Sequence, residues 1–573
     1  MVNIEVNNQQ IQAKEGETIL DTLNRNGIKV PTLCRMEGFS PTGACRLCVV
    51  EIEGKPGLIP SCSFHVEESL KIKTHSPRVI RSRKMLVELL LSNHPDDCLY
   101  CVRNGNCELQ DLAVELNIRE RRISGNKSKA NLDQSSPGIV HDPAKCVLCG
   151  RCVRVCEEIQ SVSTFDFIKR GNKTAIATTM NKDLNFSNCV HCGQCIMVCP
   201  TGALHEKINF DVLLEMLNKK DSKVIVQYSP TIAISVAEDL GIRSGKDISG
   251  LINAALRKIG FFKVFDTTFG SDLLIYEQSA ELLDRIKYDN GLPLISSCCP
   301  GWIKYMEQSH FDLMENVSTC KSAQQMMGTL IKGYFAQEEK ISPEKIFSVS
   351  IMPCTAKKFE AQREEMTHKG ISDIDLVLTS RELVKLINLC GIDVQQLQEE
   401  MADNPFNTRS SAGKLVSVSG GMAEAIIRTT HFLYSKKEMP EYKITKLRGT
   451  KERREMNIQI GDLNLGIAVV SGLKNAKNLL EEIRNGRKDL HYIEIMACPG
   501  GCINGGGQPF CSDEKVMKGR AKAVYDLDEK DGLKVAHKNP AIIRLYEKFL
   551  EEPLSVKANS LLHTRYSERD VLL

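Results

Sequence analysis

Residues 146–156 read CVLCGRCVRVC and residues 189–200 read CVHCGQCIMVCP, so one C-x2-C-x2-C-x3-C run occurs twice, 43 residues apart. Thiolates are soft, charged ligands that suit iron–sulfur clusters, and a spacing of two residues lets neighbouring sulfurs face one metal centre. Two copies indicate a duplicated motif and not a solenoid, which needs more repeats. The sequence therefore predicts a Cys-rich unit over residues 138–209 that holds two metal clusters.

The composition of the whole chain agrees with metal binding in a reducing compartment. The chain has 573 residues and 23 cysteines, of which 15 precede residue 200. An intracellular protein has little use for that many disulfides, because its compartment keeps thiols reduced. Lys and Arg number 75 against 72 Asp and Glu, and this balance does not favour a nucleic-acid or membrane-surface binder. No apolar stretch reaches the length of a spanning helix and no secretory signal is present, so we expect a soluble, cytoplasmic protein.

The duplicated run has the spacing of bacterial ferredoxins with two [4Fe–4S] clusters, in which the fourth cysteine of each run ligates the other cluster. The predicted ligand sets therefore cross between the runs. They are Cys146, Cys149, Cys152 and Cys199 for one cluster, and Cys189, Cys192, Cys195 and Cys156 for the other. Two four-cysteine zinc sites are the alternative, and the duplicated spacing argues against them.

Two further groups of candidate metal ligands precede this unit. The first keeps the central C-x2-C pair of plant-type ferredoxins, so a [2Fe–2S] cluster is favoured over zinc; it consists of Cys34, Cys45, Cys48 and Cys62. The second would suit zinc equally well if it were isolated; it consists of His94, Cys98, Cys101 and Cys107. Because three other clusters are predicted in this chain, the second group favours a [4Fe–4S] cluster with one imidazole ligand. The loss of one thiolate is expected to raise the reduction potential of this cluster relative to an all-cysteine cubane.

Changes in composition and residue periodicity divide the chain into four predicted domains. These are residues 1–78, 79–125, 138–209 and 210–573. The first is strand-like; the second combines helical spacing at 80–92 with the His/Cys group and a charged, helix-like run at 115–122. Residues 124–137 are predicted to form a polar linker. The last domain alternates aliphatic strands with amphipathic helices, so the predicted fold class is multi-domain α/β, or α+β overall.

Four segments of the last domain share one design, in which a short aliphatic strand leads directly into Cys, Ser, Thr or Pro. They are KVIVQYSPT at 223–231, LPLISSCCPGW at 292–302, IFSVSIMPCTAKKFE at 346–360 and HYIEIMACPGGC at 491–502. Ligands of open α/β sheets bind beyond the carboxyl ends of the strands, so we expect these four ends to meet at one site. Gly505–Gly507 lacks the Lys and Ser/Thr of a phosphate loop, and we interpret it as a place where backbone passes close to a cluster.

The motifs of the last domain, together with the order of the cluster domains, resemble one enzyme family. SCCPGW at 297–302, MPCTAKKFE at 352–360 and EIMACPGGCINGGGQP at 494–509 look like the three signature motifs of the [FeFe]-hydrogenase catalytic domain. The first 200 residues resemble the accessory-cluster arms of these hydrogenases and also the large iron–sulfur subunit of respiratory NADH dehydrogenase. Because the match covers nearly the whole chain, the chain is similar to the long, clostridial-type monomeric [FeFe]-hydrogenases. The resemblance implies a β-grasp-like first domain and a two-lobed catalytic domain.

The resemblance also implies a catalytic H-cluster, which is a [4Fe–4S] cubane joined to a two-iron subsite with CO, CN and a bridging dithiolate. The cubane ligands match Cys299, Cys354, Cys498 and Cys502, the last of which also bridges to the subsite. Positions around the subsite match Ser229, Pro230, Thr231, Gln324, Met352 and Met496. For the two methionines, ordinary core packing is the alternative. Lys357 matches the residue that hydrogen-bonds a cyanide ligand, with a surface lysine as the alternative. The implied cofactors are thus the H-cluster, one [2Fe–2S] cluster and three accessory [4Fe–4S] clusters.

Four cysteines have no predicted cluster: Cys298, Cys320, Cys390 and Cys511. Adjacent thiols do not readily ligate one cluster, so one member of the Cys298/Cys299 pair is predicted to stay free beside the metal. The resemblance identifies Cys298 as that thiol, which passes protons to the bridgehead amine of the subsite. The other three are predicted to be ordinary buried thiols.

A proton route is predicted along one helix face, where Glu277, Glu281 and Arg285 are spaced four residues apart. A solvated Glu–Arg pair is the alternative. The family relay runs from the free Cys through a Glu, a Ser and a second Glu toward an Arg, and Ser318, Glu281 and Arg285 match three of these stations. Gln278 replaces the remaining Glu, and a carboxamide does not exchange protons near neutral pH. Three alternatives remain for this relay: a chain of water molecules bridges the gap, the neighbouring Glu277 takes the place of the missing carboxylate, or turnover is slow.

The sequence therefore predicts a ferredoxin hydrogenase that catalyses 2 H⁺ + 2 e⁻ ⇌ H₂, with electrons entering through the distal clusters. Ferredoxin and maturation proteins are the implied partners. One alternative is a hydrogenase subunit of an NADH-linked complex, whose nicotinamide would bind a partner because this chain has no G-x-G-x-x-G fingerprint. A non-catalytic electron-transfer subunit does not account for the three C-terminal motifs. An iron–sulfur assembly protein has no need of Cys298 or Lys357.

Overall fold

The N-terminal region contains a mixed five-stranded sheet and one helix. The computed structural model describes residues 1–66, 70–127, 131–243, 245–510 and 514–570. The elements of this region are β1 (Val2–Val6), β2 (Gln9–Ala13), α1 (Ile19–Arg25), β3 (Val49–Ile52), β4 (Ile59–Pro60) and β5 (Lys71–Lys73). The strand order is β2-β1-β5-β3-β4, with β1 and β5 parallel and the other pairs antiparallel. Ile4 and Val6 alternate with polar residues along β1 and are fully buried, so one face of the sheet covers the core.

Two helices, α2 (Pro77–Asn93) and α3 (Glu108–Glu115), flank the predicted His/Cys group. The start of α2 is fixed by Ser76, whose Oγ accepts a hydrogen bond from the Val79 backbone N–H at 3.3 Å. Pro77 occupies the first helical position. A backbone N–H at that position has no intrahelical partner, so the N–H that proline lacks costs the helix no hydrogen bond. The helical spacing predicted over 80–92 is therefore confirmed.

The helix-like run predicted at 115–122 is wrong. Helix α3 ends at Glu115, and Asn117 adopts a left-handed backbone conformation with φ of 47°. The charges that suggested a helical face instead tie this segment to its neighbours, since Arg122 forms an ion pair with Glu88 of α2 at 2.6 Å. Tertiary ion pairing has therefore replaced local helical pairing in this segment.

The region of the duplicated cysteine runs has two short antiparallel strand pairs and two short helices. Its elements are β6 (Ile139–His141), α4 (Arg151–Arg154), β7 (Phe165–Ile168), β8 (Ala175–Thr178), α5 (Gln194–Val198) and β9 (Leu204–Glu206). β6 pairs with β9 and β7 with β8, all antiparallel. In the predicted linker before it, residues 128–130 lie outside the described residues. Ser136 at the end of that linker is buried and hydrogen-bonds with His191 Nδ1 at 2.9 Å, so this part is anchored to the cluster region.

The C-terminal region is built on two four-stranded sheets that are flanked and separated by helices. Its elements are α6 (Phe210–Asn218), β10 (Lys223–Tyr228), α7 (Pro230–Ser235), α8 (Ser249–Ile259), β11 (Lys263–Asp266), α9 (Thr268–Tyr288), β12 (Leu294–Ile295), α10 (Pro300–Ser309), α11 (Ala323–Leu330), α12 (Ala336–Glu338), β13 (Ile346–Met352), α13 (Ala356–Glu360), β14 (Thr367–His368), β15 (Ile371–Ser372), β16 (Leu376–Thr379), α14 (Ser380–Leu389), α15 (Ser411–Leu415), α16 (Gly421–Ser435), β17 (Arg453–Ile460), β18 (Leu463–Ser471), α17 (Leu473–Arg484), β19 (Tyr492–Met496), α18 (Glu514–Lys530), α19 (Pro540–Leu545) and α20 (Val556–Leu562).

The two sheets have the strand orders β11-β10-β13-β16 and β12-β19-β18-β17. All neighbouring strands are parallel except β17 and β18. Helix α9 packs against α11 and against α16, and the apolar side chains of the three helices share one core with residues from both sheets. This arrangement matters because the carboxyl ends of β10, β12, β13 and β19 then face the same space.

A buried ion-pair network joins α16 to α18. The Arg428 guanidinium is almost fully buried and donates to Glu424 at 2.7 Å and to both carboxylate oxygens of Asp528 at 3.0 Å. Arg448 also donates to both carboxylates. Because removal of one partner of a buried pair leaves uncompensated charge, this network is expected to be more sensitive than any exposed ion pair.

We expect Arg428→Met to lower the stability of the C-terminal region by about 3–5 kcal/mol, since two buried carboxylates lose a shared cation. The matched control is Lys518→Ala, which removes an exposed pair with Glu514 on α18 and is expected to cost below about 1 kcal/mol. Thermal unfolding followed by circular dichroism measures the difference. Equal transition midpoints for the two variants would contradict this role of the network.

Candidate functional site

The carboxyl ends of β10, β12, β13 and β19 enclose a cavity with about 900 Å³ of space free of protein atoms. The four predicted cubane ligands line it, together with the predicted free thiol and lysine. They are Cys299, Cys354, Cys498, Cys502, Cys298 and Lys357. The prediction that the four strand ends converge is therefore confirmed, although the strands belong to two different sheets.

Each cysteine is placed by the turn that follows its strand. Cys299 precedes α10 and Pro300 sets the first turn of that helix. Cys354 lies between β13 and α13. Between Cys498 and Cys502 the chain turns at Gly501, whose φ is 99° and where an added Cβ would lie 2.7 Å from the Ser419 backbone nitrogen. Glycine is required there because no side chain fits this close approach of two backbones.

The buried thiols form a donor set that fits a polynuclear iron cluster. Burial raises the pKa of Cys354 to about 12, and the neighbouring Cys299 adds to this effect. Burial also raises the pKa of Cys502 well above its usual value, and the nearby Cys298, Cys354 and Cys299 raise it further. Thiolates crowded in an apolar cavity are stabilised by a metal cation, which releases their protons on binding.

Lys357 is buried at the cavity wall, so the alternative of a surface lysine is wrong. Its Nζ donates to the two oxygens of Glu360 at 2.9 and 3.1 Å and to the Cys298 carbonyl at 3.3 Å. Burial alone would lower the pKa of Lys357, but Glu360 and Cys298 outweigh it and raise that pKa. Glu360 also accepts hydrogen bonds from Ser322 Oγ and Gln324 Nε2. The ammonium is therefore kept charged and held in one place.

Five of the six predicted subsite positions line the cavity: Ser229, Pro230, Gln324, Met352 and Met496. Thr231 is not among the lining residues; its hydroxyl hydrogen-bonds with Ser229 Oγ at 2.9 Å. Thr231 therefore contacts Ser229 directly, and its contact with the subsite stays a prediction.

Sequence reasoning missed several residues at this cavity. Val416, Ser417 and Met422, which flank α15 and α16, line it, and their segment has no cysteine or strand-end motif that could have indicated them. Glu494 also lines it; its carboxylate accepts the Gly420 N–H at 2.6 Å, and burial raises its pKa to about 7. This carboxylate caps the first turn of α16 and so attaches that helix to β19.

The predicted crossing of the cysteine runs agrees with the geometry. One cavity of about 330 Å³ is lined by all members of one set, Cys156, Cys189, Cys192 and Cys195. In the other set, burial raises the pKa of Cys146 and Cys149 to about 11 and about 12, and Cys199 is a neighbouring thiol that raises each further. Each group of three cysteines thus meets the fourth cysteine of the other run.

The cavity lined by Cys156, Cys189, Cys192 and Cys195 lies beside the C-terminal region. Gln194 Nε2 donates to the Asn504 carbonyl at 2.9 Å, and Gln160 Nε2 donates to the Ala497 carbonyl at 2.9 Å. A Cβ on Gly506 would lie 2.3 Å from the Cys192 carbonyl oxygen. The interpretation of Gly505–Gly507 as a close backbone approach is therefore confirmed, and the backbone that it admits is that of a predicted cluster ligand.

The two distal ligand groups are also assembled. A cavity of about 1050 Å³ is lined by His94, Cys98, Cys101 and Cys107. His94 Nδ1 is buried and has no hydrogen-bond partner in the described ranges, which fits a nitrogen that ligates metal. In the N-terminal group, a hydrogen bond from Cys45 lowers the pKa of Cys34 to about 5, and one from Cys62 lowers that of Cys48 to about 6. In the described part of the chain, no three His, Cys, Asp or Glu side chains form a single-ion site.

The predicted relay residues lie together beside α9. Ser318 Oγ and Arg285 Nη2 both donate to Glu281, the latter at 2.8 Å. Glu281 is only 7% exposed, so the alternative of a solvated Glu–Arg pair is wrong. Gln278 is fully buried; its Oε1 accepts the Tyr492 hydroxyl at 3.1 Å, and its Nε2 has no partner among the described residues.

Glu277 does not stand in for the carboxylate that Gln278 replaces. Its Oε1 accepts the Tyr546 hydroxyl at 2.6 Å, and its Oε2 accepts the Leu554 N–H at 3.1 Å. Its Oε2 also lies 3.3 Å from His563 Nε2. The carboxylate is therefore committed to the C-terminal segment and not to the cavity thiol.

The cysteines without a predicted cluster differ from one another. Cys320 is buried, as expected, but Cys390 is exposed, so its prediction as a buried thiol is wrong. Cys390 lies at the carboxyl end of α14, where the last residues of the helix are exposed. Its side chain therefore does not pack against the core. Cys511 lies outside the described residues.

Five family models match the chain. The C-terminal domain of the iron only hydrogenase large subunit matches residues 222–506, and the iron hydrogenase small subunit matches 514–569. The 2Fe-2S iron-sulfur cluster binding domain matches 1–77. The NADH-ubiquinone oxidoreductase-G iron-sulfur binding region matches 83–122, and the ferredoxin-like domain of NADH-quinone oxidoreductase subunit 3 matches 136–205. Fold and site together define an iron–sulfur oxidoreductase.

Full-length relatives identify the family. The chain is 40% identical to the NADP-reducing hydrogenase subunit HndD of Solidesulfovibrio fructosivorans over 100% of both chains. It is 35% identical to iron hydrogenase 1 of Clostridium pasteurianum over 99% of this chain and 100% of that protein. A solved structure of the apo [FeFe]-hydrogenase HydA1 from Chlamydomonas reinhardtii, a single-residue variant, is 35% identical with a TM-score of 0.57, covering 63% of this chain and 99% of that chain. The chain belongs to the iron-only hydrogenase family. None of its helices in the described ranges has the length and apolar character needed to cross a membrane.

The thiols outside the predicted ligand sets should differ in reactivity. Burial raises the pKa of Cys298 to about 11 and that of Cys320 well above its usual value, whereas Cys390 is exposed. Because the thiolate is the reactive form, we expect iodoacetamide at pH 8 to label Cys390 at least about 10-fold faster than the other two. Peptide mass spectrometry of the anaerobic, iron-loaded protein measures the rates. Equal labelling of Cys298 and Cys390 would contradict the enclosed position of Cys298.

Proposed function

We propose that this chain is an [FeFe]-hydrogenase that catalyses 2 H⁺ + 2 e⁻ ⇌ H₂ at an H-cluster. The observation that carries the proposal is the convergence of six side chains from three distant motifs on one cavity. These are Cys298, Cys299, Cys354, Lys357, Cys498 and Cys502. An electron-transfer subunit would need no such cavity, and an assembly protein would need neither the spare thiol nor the buried ammonium.

In this proposal Cys299, Cys354, Cys498 and Cys502 would hold the cubane, and Cys502 would also help to hold the two-iron subsite. When bound, the H-cluster supplies the metal chemistry that forms and splits the H–H bond. Lys357 would hold the subsite through a hydrogen bond from its ammonium to a cyanide ligand, and Glu360 keeps that ammonium in position. Ser229, Pro230, Gln324, Met352 and Met496 shape the wall around the subsite and exclude water.

Cys298 is the group that delivers the proton. Burial raises its pKa to about 11, so it stays protonated near neutral pH and would present an S–H to the subsite. The thiolate left after donation is then reprotonated through Ser318 and Glu281, with Arg285 at the outer end. Gln278 interrupts this route next to Tyr492, and we propose that proton delivery limits turnover here.

Electrons are proposed to reach the cavity through a [2Fe–2S] cluster and three [4Fe–4S] clusters. The proposed domains are residues 1–78, 79–125, 138–209 and 210–573, each with the ligands assigned to it above. The sheet order of the first region supports a β-grasp-like domain, and the two four-stranded sheets support a two-lobed catalytic domain. The short links between Gln194 and Asn504 and between Gln160 and Ala497 support direct transfer from the cluster region.

The electron partner is proposed to be ferredoxin, in the cytoplasm, after maturation proteins have inserted the subsite. A second candidate is the hydrogen-activating subunit of a complex linked to a nicotinamide cofactor. It is favoured by the full-length relative named as an NADP-reducing hydrogenase subunit. Because this chain has no G-x-G-x-x-G fingerprint, the nicotinamide would bind another subunit. Purified protein that evolves hydrogen with reduced ferredoxin alone would favour the first candidate.

Two neighbouring cysteines provide a matched test of the proposed site. We expect Cys299→Ala to lose about four iron atoms per chain, because a cubane loses a ligand, whereas Cys298→Ala keeps its iron. Both variants are expected to lose hydrogen evolution by at least about 100-fold, Cys298→Ala through proton transfer alone. Iron analysis and gas chromatography with reduced methyl viologen measure the two effects. Full activity in Cys299→Ala would exclude the proposed catalytic site.

The replacement of Gln278 tests the proposed bottleneck. We expect Gln278→Glu to raise hydrogen evolution by about 10-fold at saturating reductant, because a carboxyl group beside Tyr492 exchanges protons and a carboxamide does not. The control is Gln325→Glu, at a fully buried glutamine whose amide also has no partner among the described residues but which lies outside the relay. No increase in Gln278→Glu, or an equal increase in the control, would contradict a bottleneck at this position.

A further inference from the structure

A buried lysine without a carboxylate partner lies where the C-terminal region contacts the cluster region. Lys304 belongs to α10, which begins directly after the predicted cubane ligand Cys299, and it is only 3% exposed. Its Nζ lies 2.9 Å from His191 Nε2 and 4.7 Å from the centre of the Phe359 ring. Among the described residues it forms no ion pair with a carboxylate. Because a buried cation is costly unless an anion compensates it, we expect a negative charge nearby.

The acidic side chains near Lys304 are paired with other cations. Glu307, three residues further along α10, accepts hydrogen bonds from both terminal nitrogens of Arg363 and, at 2.8 Å, from Arg569 Nε. Glu365 accepts a hydrogen bond from Arg363 Nε at 2.7 Å. Two carboxylates are thus matched by two guanidiniums, and neither carboxylate compensates the ammonium of Lys304.

His191 binds the ammonium as a neutral ring. An ammonium only donates hydrogen bonds, so His191 Nε2 accepts and Nδ1 carries the hydrogen of the ring. Nδ1 lies 2.9 Å from Ser136 Oγ, which accepts that hydrogen. The ring is also stacked on Phe359, with the two ring centroids 4.9 Å apart. The imidazole therefore holds the ammonium of Lys304 in place and supplies no negative charge to it.

The same histidine connects the ammonium to a predicted cluster ligand. The His191 backbone N–H donates to Cys189 Sγ at 3.4 Å, and Cys189 lines the cavity of about 330 Å³ with the rest of its ligand set. Burial raises the pKa of Cys189 to about 11, and Lys304 is the strongest of the neighbouring charges that oppose this effect. A [4Fe–4S] cluster with four thiolate ligands is an anion. The proposed cluster of this set therefore supplies the negative charge that Lys304 lacks.

His191 also contacts the segment that would hold the cubane of the H-cluster. Its carbonyl oxygen accepts a hydrogen bond from Thr355 Oγ1 at 2.7 Å, and Thr355 directly follows the predicted cubane ligand Cys354. This hydrogen bond therefore joins the neighbours of ligands from two proposed clusters. Lys304 lies at the contact across which an electron would pass into the catalytic cavity.

We propose that the ammonium of Lys304 raises the reduction potential of the cluster ligated by Cys189, a role that rests on the proposed electron path to the H-cluster. Reduction adds one electron to this cluster and makes it more negative. A fixed cation beside the cluster therefore stabilises its reduced form more than its oxidised form. The electron comes from the preceding cluster, and Lys304 favours its residence next to the catalytic cavity.

Lys304→Gln tests this role, because it removes the positive charge and keeps an amide that donates hydrogen bonds to His191. In the anaerobic, iron-loaded full-length protein, we expect the ratio of reduced to oxidised cluster at a fixed solution potential to fall about 10-fold, which is about 59 mV for a one-electron couple. Lys304→Arg keeps the charge and should keep the parental ratio. A further control is Lys258→Gln, which removes the charge of an exposed lysine on α8, where solvent and salt screen it.

Electron paramagnetic resonance during a redox titration measures this ratio, and iron analysis shows that each variant keeps its clusters. The component is identified by the change of its signal in Cys189→Ser, where an oxygen replaces one sulfur ligand. A parental ratio in Lys304→Gln, an equal fall in Lys304→Arg, or a shift confined to another component would each overturn the proposal. If Lys304→Gln fails to fold, Lys304→Met makes the same comparison. A parent protein that is iron-loaded and evolves no hydrogen, with the shift present, would instead contradict the proposed function and not the role of Lys304.

Discussion

Four thiols that follow three strand ends share one apolar cavity, and this burial is the constraint on which the rest of the C-terminal region depends. Burial raises the pKa of Cys354 and Cys502, so their anionic forms are disfavoured until a metal cation compensates them. The same cavity holds a buried ammonium, and Glu360 keeps that ammonium charged. Binding of a metal at this point would release the protons of these thiols.

Both backbone contacts and side-chain packing join the cluster region to the C-terminal region, since Val162 and Val190 share one core with Trp302. Gly506 allows the Cys192 carbonyl to approach, and two glutamine side chains cross between the regions to backbone oxygens. A short separation matters for electron transfer, and a glycine at the contact gives the closest approach that a polypeptide allows. The C-terminal segment contributes at another face of the same region, where it brings His563 and Tyr546 to Glu277.

Local sequence patterns predicted the features that depend on residue spacing within one segment. Cysteine spacing indicated the crossed ligand sets, and strand-end motifs indicated the convergence of Cys299, Cys354 and Cys498, although they did not indicate that two sheets share the site. The resemblance to a family supplied the roles of Cys298 and Lys357. Long-range contacts were not predictable: Met422 reaches the cavity from a segment without any motif, and the motif that begins at Glu494 did not indicate that this carboxylate binds the start of α16. The charged run at 115–122 suggested a helix, but its Arg122 forms a tertiary ion pair instead of a helical one. The exposure of Cys390 depends on where α14 ends, which the sequence pattern did not indicate.

The central claim is that the cavity holds an iron centre with diatomic ligands. The most direct measurement is the infrared spectrum of protein matured and purified without oxygen, in the region where metal-bound CO and CN absorb. We predict such bands in the parent protein and their loss in Cys299→Ala. Matured protein with a full complement of iron and no CO or CN bands would contradict the account.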